Sequence, residues 1–321
     1  MKKLRIATVG TNFIVDLFCD AVRSIEDIDI CAAYSRKSNT GETFSKKHGI
    51  RHFYTEYDRM LADEEIDAVY IASPTFLHCE HSVAALSAGK HVLCEKSISI
   101  TPDEFYKMRS ASERNGKVLL EAMRPAHTPI FKALCDSLHL VGNIESAMFS
   151  FKKYSSRYDN FKRGIIENAF NPDLKNSALS DIGVYPVWMA VALFGEPDEV
   201  DAYSYRLSNG FDGEGWANLG YRNHSVKIQY SKITESSEPS FIKGEMGTLF
   251  IDKISEPHEV YFVDKNNVKI AIATDPCKNN MVYELEAFYK MTRGDISHLS
   301  YLDDSERLTR TMQRIADSQL M

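Results

Sequence analysis

Short apolar runs alternate with amphipathic stretches along the first 123 residues of the chain. Runs rich in β-branched and aromatic side chains predict strands at 6–9, 28–34, 68–72, 91–94 and 118–120. Apolar residues at helical spacing lie between them, at 12–25, 76–88 and 103–114. Strands that alternate with helices form a parallel sheet covered on both faces. We therefore predict an α/β domain with a doubly wound Rossmann sheet over residues 1–123.

The pattern changes after residue 123. A short helical pattern at 129–138 precedes a strand-like run at 144–153, and an apolar helix is predicted at 177–194. Long alternating runs predict antiparallel strands, at 199–207, 216–232, 240–252, 259–262 and 268–273. Helical patterns at 281–292 and 305–318 follow. We expect residues 124–321 to form an α+β domain for substrate binding and oligomerisation, with a large, mostly antiparallel open sheet.

The composition is that of a folded protein with room for two domains. The chain has 321 residues, of which 44% are hydrophobic and 26% are charged. The formal net charge of −7 argues against a nucleic-acid partner, since such a partner requires a concentrated basic face. The composition and charge are compatible with a small-molecule ligand.

The cysteines and the apolar runs of the chain indicate the cellular compartment in which the protein is expected. The six cysteines are scattered without a CxxC pair, a pattern typical of reduced, buried thiols. The chain begins without the apolar core of a signal peptide, and no run reaches the roughly 18 apolar residues of a membrane span. We expect a cytoplasmic protein with no membrane partner.

A glycine follows the first predicted strand. Gly10 occupies the first position of the three-glycine dinucleotide fingerprint, and the other two glycines are absent. Gly10 permits a tight turn, and the amides after it can meet a pyrophosphate at a helix N-terminus. One glycine alone also fits an ordinary βα turn, but the five-strand context favours a nucleotide. The candidate cofactor residues here are Gly10, Thr11, Asn12, Phe13 and Ile14.

The second predicted strand is followed by Ser35, Arg36 and Lys37. An NAD-binding domain usually has an acidic residue here, bonded to the ribose 2′-hydroxyl. A hydroxyl and two cations suit a 2′-phosphate instead, because Arg makes paired charge-assisted bonds to phosphate. We therefore predict NADP as the cofactor, with NAD as the alternative. A solvated loop is the alternative reading of the two cations.

The apolar helix at 177–194 carries a carboxylate and a phenol four residues apart, Asp181 and Tyr185. In an α-helix this spacing places both on one face, where an apolar segment has no packing reason to keep them. Asp181 as a partial helix cap and Tyr185 as a core aromatic are the structural alternative. His78, Cys79, Glu80 and His81 have metal-ligand side chains but lie on one helix, so we expect no metal.

With these residues in view, the chain resembles the Gfo/Idh/MocA family of oxidoreductases. The segments that carry the resemblance occur in the family's order along most of the chain. They are Gly10 to Ile14, Ser73-Pro74-Thr75 followed by His78, Gly89 to Lys96, Glu121 to Arg124, Asp181 to Pro186 and Gly244 to Leu249.

The resemblance implies a Rossmann domain followed by an α/β domain whose open sheet forms homodimer or homotetramer contacts. In the family a Glu-Lys-Pro motif supplies a lysine that reaches nicotinamide and substrate, and here it reads Glu95-Lys96-Ser97, without the proline. In having a tyrosine at position 185, the chain resembles the branch of the family that contains dihydrodiol dehydrogenase and glucose-fructose oxidoreductase. This resemblance favours NADP as the cofactor and a carbonyl compound or a sugar as the substrate. Further cofactor residues expected from the resemblance are Ser73, Pro74, Thr75, His78, Glu95, Lys96 and Met123.

The residues fit hydride transfer between nicotinamide and a carbonyl or secondary alcohol. Negative charge develops on the carbonyl oxygen, so we expect Tyr185 to be the general acid and base, with Lys96 as the cation that favours its phenolate. Asp181 is expected to bond substrate hydroxyls or to fix Lys96. Arg124 and His127 follow the last Rossmann strand and either border the substrate or make hinge contacts.

The function predicted from the sequence is therefore an NADP-dependent oxidoreductase acting on a sugar, a sugar derivative or a cyclic diol. The alternative is a non-catalytic NAD(P)-binding sensor, since the same fold also serves regulators.

Overall fold

The computed structural model describes residues 3–319. The first part of the chain alternates strands and helices. Its strands are β1 (Leu4–Val9), β2 (Ile28–Tyr34), β3 (His52–Tyr54), β4 (Ala68–Ile71), β5 (His91–Glu95) and β6 (Leu119–Ala122). Its helices are α1 (Phe13–Val22), α2 (Ser38–His48), α3 (Tyr57–Leu61), α4 (His78–Ser87) and α5 (Pro102–Asn115).

The remainder of the chain is richer in long strands. Helix α6 (Pro129–Ser137) is followed by β7 (Ile144–Lys152), by α7 (Tyr158–Lys162) and, after a π-helical turn, by α8 (Val184–Phe194). The next strands are β8 (Glu199–Arg206), β9 (Asp212–Gly220), β10 (Ser225–Ser231), β11 (Ser240–Gly244), β12 (Gly247–Ile251), β13 (Glu259–Asp264) and β14 (Lys269–Thr274). Two helices end this part, α9 (Met281–Arg293) and α10 (Leu299–Ser318).

The first sheet is six-stranded and parallel, in the order β3-β2-β1-β4-β5-β6. Apolar side chains cover both of its faces, with Ile6 and Tyr70 in one buried cluster and Val9 and Ile71 in the other. The strand order reverses between β1 and β4, which is where such sheets bind ligands. The predicted Rossmann sheet is confirmed, although the sequence pattern had not indicated β3 or α2.

The described chain divides into two compact units. One contains residues 3–124 and 279–305, and the other contains residues 125–278 and 306–319. The expected boundary after residue 123 lies one residue from the first break. Residues 279–305, expected in the second domain, instead cluster with the first unit. The physical reason is that Met281, Leu285 and Phe288 of α9 are buried in the same apolar cluster as Phe18 of α1.

The second sheet has eight strands in the order β14-β13-β12-β11-β7-β10-β9-β8. Only the β7–β10 pair is parallel among the pairs of this sheet, which confirms the mostly antiparallel sheet expected from the alternating runs. Helix α8 packs on one face, where Phe194 stacks on Phe149 with ring centroids 6.4 Å apart.

The opposite face of this sheet carries a row of aromatic side chains. Tyr203 stacks on Trp216 across β8 and β9, and Phe250 stacks on Tyr261 across β12 and β13. Tyr203 and Tyr205 are about half exposed. Among residues 3–319, no helix combines the length and the apolar character that a membrane crossing requires.

Candidate active site

The turn after β1 brings the ends of β1 and β4 into close contact. Gly10 has φ of +114°, and a Cβ placed on it would lie 2.7 Å from the carbonyl oxygen of Ala72. Only glycine fits both the backbone conformation and the space. The Asn12 side chain caps α1 by accepting from the Ile14 amide at 3.0 Å, and it donates to the Ala72 oxygen at 3.2 Å. The residues predicted for the pyrophosphate therefore form one turn, in which the Ile14 amide already has a partner.

The residues predicted for the 2′-phosphate lie between β2 and α2. Ser35 Oγ donates to the carbonyl oxygen of Lys37 at 3.1 Å, which folds the three residues into a tight turn. Arg36 and Lys37 are exposed, and α2 begins immediately after them at Ser38. Burial lowers the pKa of His81, and the charge of Arg36 lowers it further, so Arg36 lies within electrostatic reach of α4. Two exposed cations at a helix start can bind an anion.

His78 lies behind the loops that follow β4 and β5. Its ring is 1% exposed, with Nε2 2.8 Å from the Ser73 oxygen and Nδ1 2.9 Å from the Ser97 oxygen. Burial lowers the pKa of His78 to about 4, so at neutral pH one ring nitrogen donates and the other has no proton. The neutral ring therefore donates to one of these two carbonyl oxygens at a time and packs against both loops from within the fold. His81 contacts the same loop through Ser73 Oγ at 3.0 Å.

The end of β5 holds a buried carboxylate beside the predicted lysine. Tyr70 donates to Glu95 at 2.6 Å, and burial raises the pKa of Glu95 against the opposing effects of Tyr70, Lys96 and Arg124. Lys96 is half-buried, and the Lys96–Ser97 peptide bond is cis. Glu95 is thus buried inside the unit, and the cations Lys96 and Arg124 are close enough to lower its pKa.

Two further buried acids lie in the same unit and were not predicted. Burial raises the pKa of Glu121 to about 7, although Ser305 and the Ile98 amide donate to it. Burial also raises the pKa of Glu284 well above its usual value, and within residues 3–319 neither of its oxygens has a hydrogen-bond partner. The charge of Arg124 opposes this shift, which places Arg124 within reach of Glu95 and Glu284.

The short helix Arg124–His127 contains the two residues predicted to border the substrate. Burial lowers the pKa of His127 to about 4, so its ring is neutral at neutral pH. Met123, predicted for the cofactor, is buried at the end of β6. Among residues 3–319, His, Cys, Asp and Glu side chains nowhere form a group of three or more suited to a metal ion.

In the second unit, the helix predicted at 177–194 is present from 178 to 194 and contains a π-helical turn. Residues Leu179–Gly183 form a π-helical turn and α8 begins at Val184. Pro186 is the physical reason: in a helix interior its ring would clash with a carbonyl one turn back and remove a hydrogen bond. The π turn ends at Gly183, so the irregular hydrogen bonding lies directly before the turn that contains Pro186. Single π turns of this kind are frequent at functional sites.

The π turn is anchored by two contacts to the sheet. The buried carboxylate of Asp212 accepts from the Leu179 amide at 2.9 Å and from Ser204 Oγ at 2.6 Å. Burial raises the pKa of Asp212, and these hydrogen bonds oppose the shift. Gly183 packs on the ring of Tyr230, where a Cβ would lie 3.1 Å from ring atoms.

Asp181, within the π turn, and Tyr185, in α8, have different environments. The Asp181 side chain is 46% exposed and its Oδ2 forms an ion pair with Lys232 Nζ at 2.8 Å. Tyr185 is buried, with its ring edge-to-face with Phe151 and centroids 5.8 Å apart. The α-helical spacing assumed from the sequence does not apply to Asp181, which lies in the π turn.

Lys232 is a residue that the sequence interpretation missed. It follows β10 in the inward row of Val226, Ile228 and Tyr230, and it is buried like them. A lysine at an inward position of an alternating run was the available signal.

Comparisons with known proteins agree with this architecture. A family described as an oxidoreductase family with an NAD-binding Rossmann fold, Gfo/Idh/MocA, matches residues 4–123. The chain is 43% identical over 292 residues to scyllo-inositol 2-dehydrogenase (NADP(+)) IolU of Bacillus subtilis strain 168, covering 90% of this chain and 88% of that protein. It is 25% identical over 265 residues to mouse trans-1,2-dihydrobenzene-1,2-diol dehydrogenase, covering 80% and 77%.

A solved structure has the same fold over nearly the whole chain. A 3-ketoreductase from Actinomadura kijaniata, crystallised with NADP and TDP-benzene, superposes with a TM-score of 0.89, covering 99% of this chain and 98% of that one at 20% identity. The matched Rossmann unit and a relative at 43% identity over most of both chains lead to one conclusion: the chain is a member of the Gfo/Idh/MocA family of oxidoreductases.

Proposed function

We propose that this chain is an NADP-dependent oxidoreductase that transfers a hydride between nicotinamide and a carbonyl or secondary alcohol of a cyclic polyol, sugar or sugar derivative. The observation that carries the proposal is the 43% identity to an NADP-dependent scyllo-inositol dehydrogenase over 90% of the chain. The mouse relative is named as a dehydrogenase of a cyclic diol, which supports the same substrate class.

The first unit suits NADP. Gly10 lets the turn pass close to the Ala72 backbone, where a Cβ would clash, and the amides of Thr11, Asn12 and Phe13 are the proposed donors to the pyrophosphate. Arg36 and Lys37 offer two exposed charges to the 2′-phosphate, beside the Ser35 hydroxyl. The remaining proposed cofactor residues are Ile14, Ser73, Pro74, Thr75, His78, Glu95, Lys96 and Met123. His78, Glu95 and Met123 are buried, so their proposed role is to hold the binding loops.

When bound, NADP supplies the hydride acceptor for alcohol oxidation and NADPH supplies the donor for carbonyl reduction. In reduction, Tyr185 Oη donates its proton to the carbonyl oxygen, and in oxidation it accepts the proton of the alcohol. Lys96 stabilises the phenolate that Tyr185 becomes, and Asp181 accepts hydrogen bonds from substrate hydroxyls. Arg124 and His127 are the proposed border of the substrate.

The experiment is a turnover assay on the purified full chain. NADP reduction is measured with scyllo-inositol, other inositols and D-xylose, beside Lys96→Met as the inactive comparison. Turnover by the natural chain that is lost in Lys96→Met is expected. NADPH binding without turnover on any of these substrates would overturn the proposal.

A non-catalytic NADP-binding sensor is the second candidate, favoured by the substitution of Ser97 for proline after the proposed catalytic lysine. In that case the chain binds NADPH and has no turnover with any substrate of the panel.

We further propose a homodimer or homotetramer formed through the aromatic face of the eight-stranded sheet. Tyr203 and Tyr205 are half exposed there, with Trp216 on the neighbouring strand, and Phe250 and Tyr261 lie on the same face further along the sheet. Exposed apolar patches of this kind mark contact surfaces. Small-angle scattering is expected to give at least twice the monomer mass, and Tyr203→Glu with Tyr205→Glu is expected to reduce it to 36.4 kDa.

A further inference from the structure

Lys232 is a buried cation with several partners in the second unit. Its side chain is 6% exposed. Its Nζ lies 2.8 Å from Asp181 Oδ2 and 2.8 Å from the carbonyl oxygen of Ala169. The ring centroids of Phe170 and Phe211 lie 4.9 Å and 5.3 Å from the same nitrogen.

These contacts explain how the charged side chain of a lysine can be buried at this position. An ammonium loses its hydration when it is buried, and the loss is tolerated only where acceptors and aromatic faces replace water. Two acceptors and two rings surround Nζ, so its position is determined by packing on several sides. Asp181, by contrast, is 46% exposed. The buried cation therefore fixes the exposed carboxylate.

Strand β10 holds the π turn at two points. Tyr230 packs its ring against Gly183, and Lys232, two residues further in the same inward row, pairs with Asp181. Through Ala169, Lys232 also joins the turn Asn168–Phe170 to Asp181. A π turn has i→i+5 hydrogen bonds in place of the α-helical i→i+4 bonds, and the contacts with Tyr230 and Lys232 hold this one against the sheet.

We propose that Lys232 is a positioning residue for substrate recognition: it holds the Asp181 carboxylate, through their ion pair, in the orientation that accepts substrate hydroxyls. This inference rests on the proposed function, which assigns Asp181 to the substrate. It adds a residue that contacts neither substrate nor cofactor and that sets the affinity for a hydroxyl-bearing ligand.

The test is a double-mutant cycle on ligand affinity. Calorimetric titration of scyllo-inositol into the NADPH-saturated chain measures binding without turnover, because the alcohol cannot be oxidised by the reduced cofactor. The variants are Lys232→Met, Asp181→Asn and the double variant. Lys232→Met is expected to weaken binding about 10-fold to 100-fold, the effect of losing one charged hydrogen bond. In the Asp181→Asn background the same substitution is expected to change binding less than about twofold.

The chain offers a matched control. Lys162 pairs with Asp159 at 2.7 Å and lies 5.5 Å and 5.3 Å from the rings of Tyr154 and Tyr158, but it is half exposed. Lys162→Met is expected to leave scyllo-inositol affinity and KM unchanged. NADPH affinity is expected to be the same in all of these variants. If Lys232→Met does not fold, Lys232→Gln takes its place in the double-mutant cycle.

The outcomes separate this inference from the proposed function. Equal weakening by Lys232→Met in the natural and Asp181→Asn backgrounds would overturn the positioning role and leave the proposed function intact. Binding of scyllo-inositol without turnover would overturn the enzymatic proposal, while the cycle would still decide the role of Lys232. Absence of binding to inositols and D-xylose alike would overturn both.

Discussion

The amide of Ile98 donates a hydrogen bond to the buried carboxyl of Glu121 at 2.9 Å, joining the segment after Lys96 to strand β6. Ser305 donates to the other oxygen of the same carboxyl at 2.7 Å. Burial outweighs both hydrogen bonds and raises the pKa of Glu121 to about 7. The segment beside the proposed catalytic lysine is thus held by a carboxyl that titrates near neutral pH.

This carboxyl gives the chain a predicted pH dependence of stability. Between its ordinary pKa of 4.5 and about 7, folded Glu121 keeps a proton that the unfolded chain has lost. The free energy of unfolding therefore falls as pH rises through this window, and the full loss of about 3 kcal/mol is reached above pH 7. Glu121→Gln is expected to remove this part of the dependence in urea unfolding at pH 5 and pH 8.

Other buried acids titrate in both proteins, so only the difference between them reports on Glu121. Glu26→Gln, at an exposed position, is the control and is expected to follow the natural chain. The same pH difference in the natural chain and in Glu121→Gln would contradict the assignment.

The turn Ser35 to Lys37 is predicted to determine cofactor preference. Replacing Arg36 and Lys37 by alanine removes the charges proposed for the 2′-phosphate, each bond worth about 1.5–3 kcal/mol. NADPH affinity is expected to fall at least about tenfold while NADH affinity stays the same, as measured by fluorescence titration. If NADPH and NADH lose affinity equally, the turn does not recognise the 2′-phosphate of the cofactor.

Gly10 is predicted to be essential because of space as well as backbone conformation. Gly10→Ala would place a Cβ 2.7 Å from the Ala72 oxygen, so the ends of β1 and β4 must move and NADPH affinity is expected to fall. Gly49 also has positive φ, but nothing lies within 4 Å of the position of its Cβ. Gly49→Ala is expected to cost only about 1 kcal/mol of stability and to keep NADPH affinity. Unchanged affinity in Gly10→Ala would argue against a cofactor at this turn.

Much of the fold could be predicted because apolar periodicity carries it. Both sheets follow from short β-branched runs and long alternating ones, as in β1 and β10. Strand β3 was missed because it has three residues and little burial, and α2 because only a few of its residues reach the core. The return of α9 to the first unit depends on its packing against α1, which no local pattern records.

The candidate site was only partly predictable, for a related reason. Lys96, Asp181 and Tyr185 belong to short sequence motifs, whereas Lys232 acquires its partner only when β10 lies beside the π turn. The buried state of Glu284 depends in the same way on tertiary packing. Pro186, by contrast, is a local signal of irregular hydrogen bonding within the helix at 177–194.

The most direct test of the account is the initial rate of NADP reduction by scyllo-inositol with the natural chain and with Tyr185→Phe. The loss of a general acid and base is expected to reduce kcat by about 100-fold to 10,000-fold. NADPH affinity is expected to change by less than about twofold, since the phenol is proposed to act on the substrate. Turnover by the natural chain together with this selective loss is the result we predict, and a Tyr185→Phe variant as active as the natural chain would contradict the account.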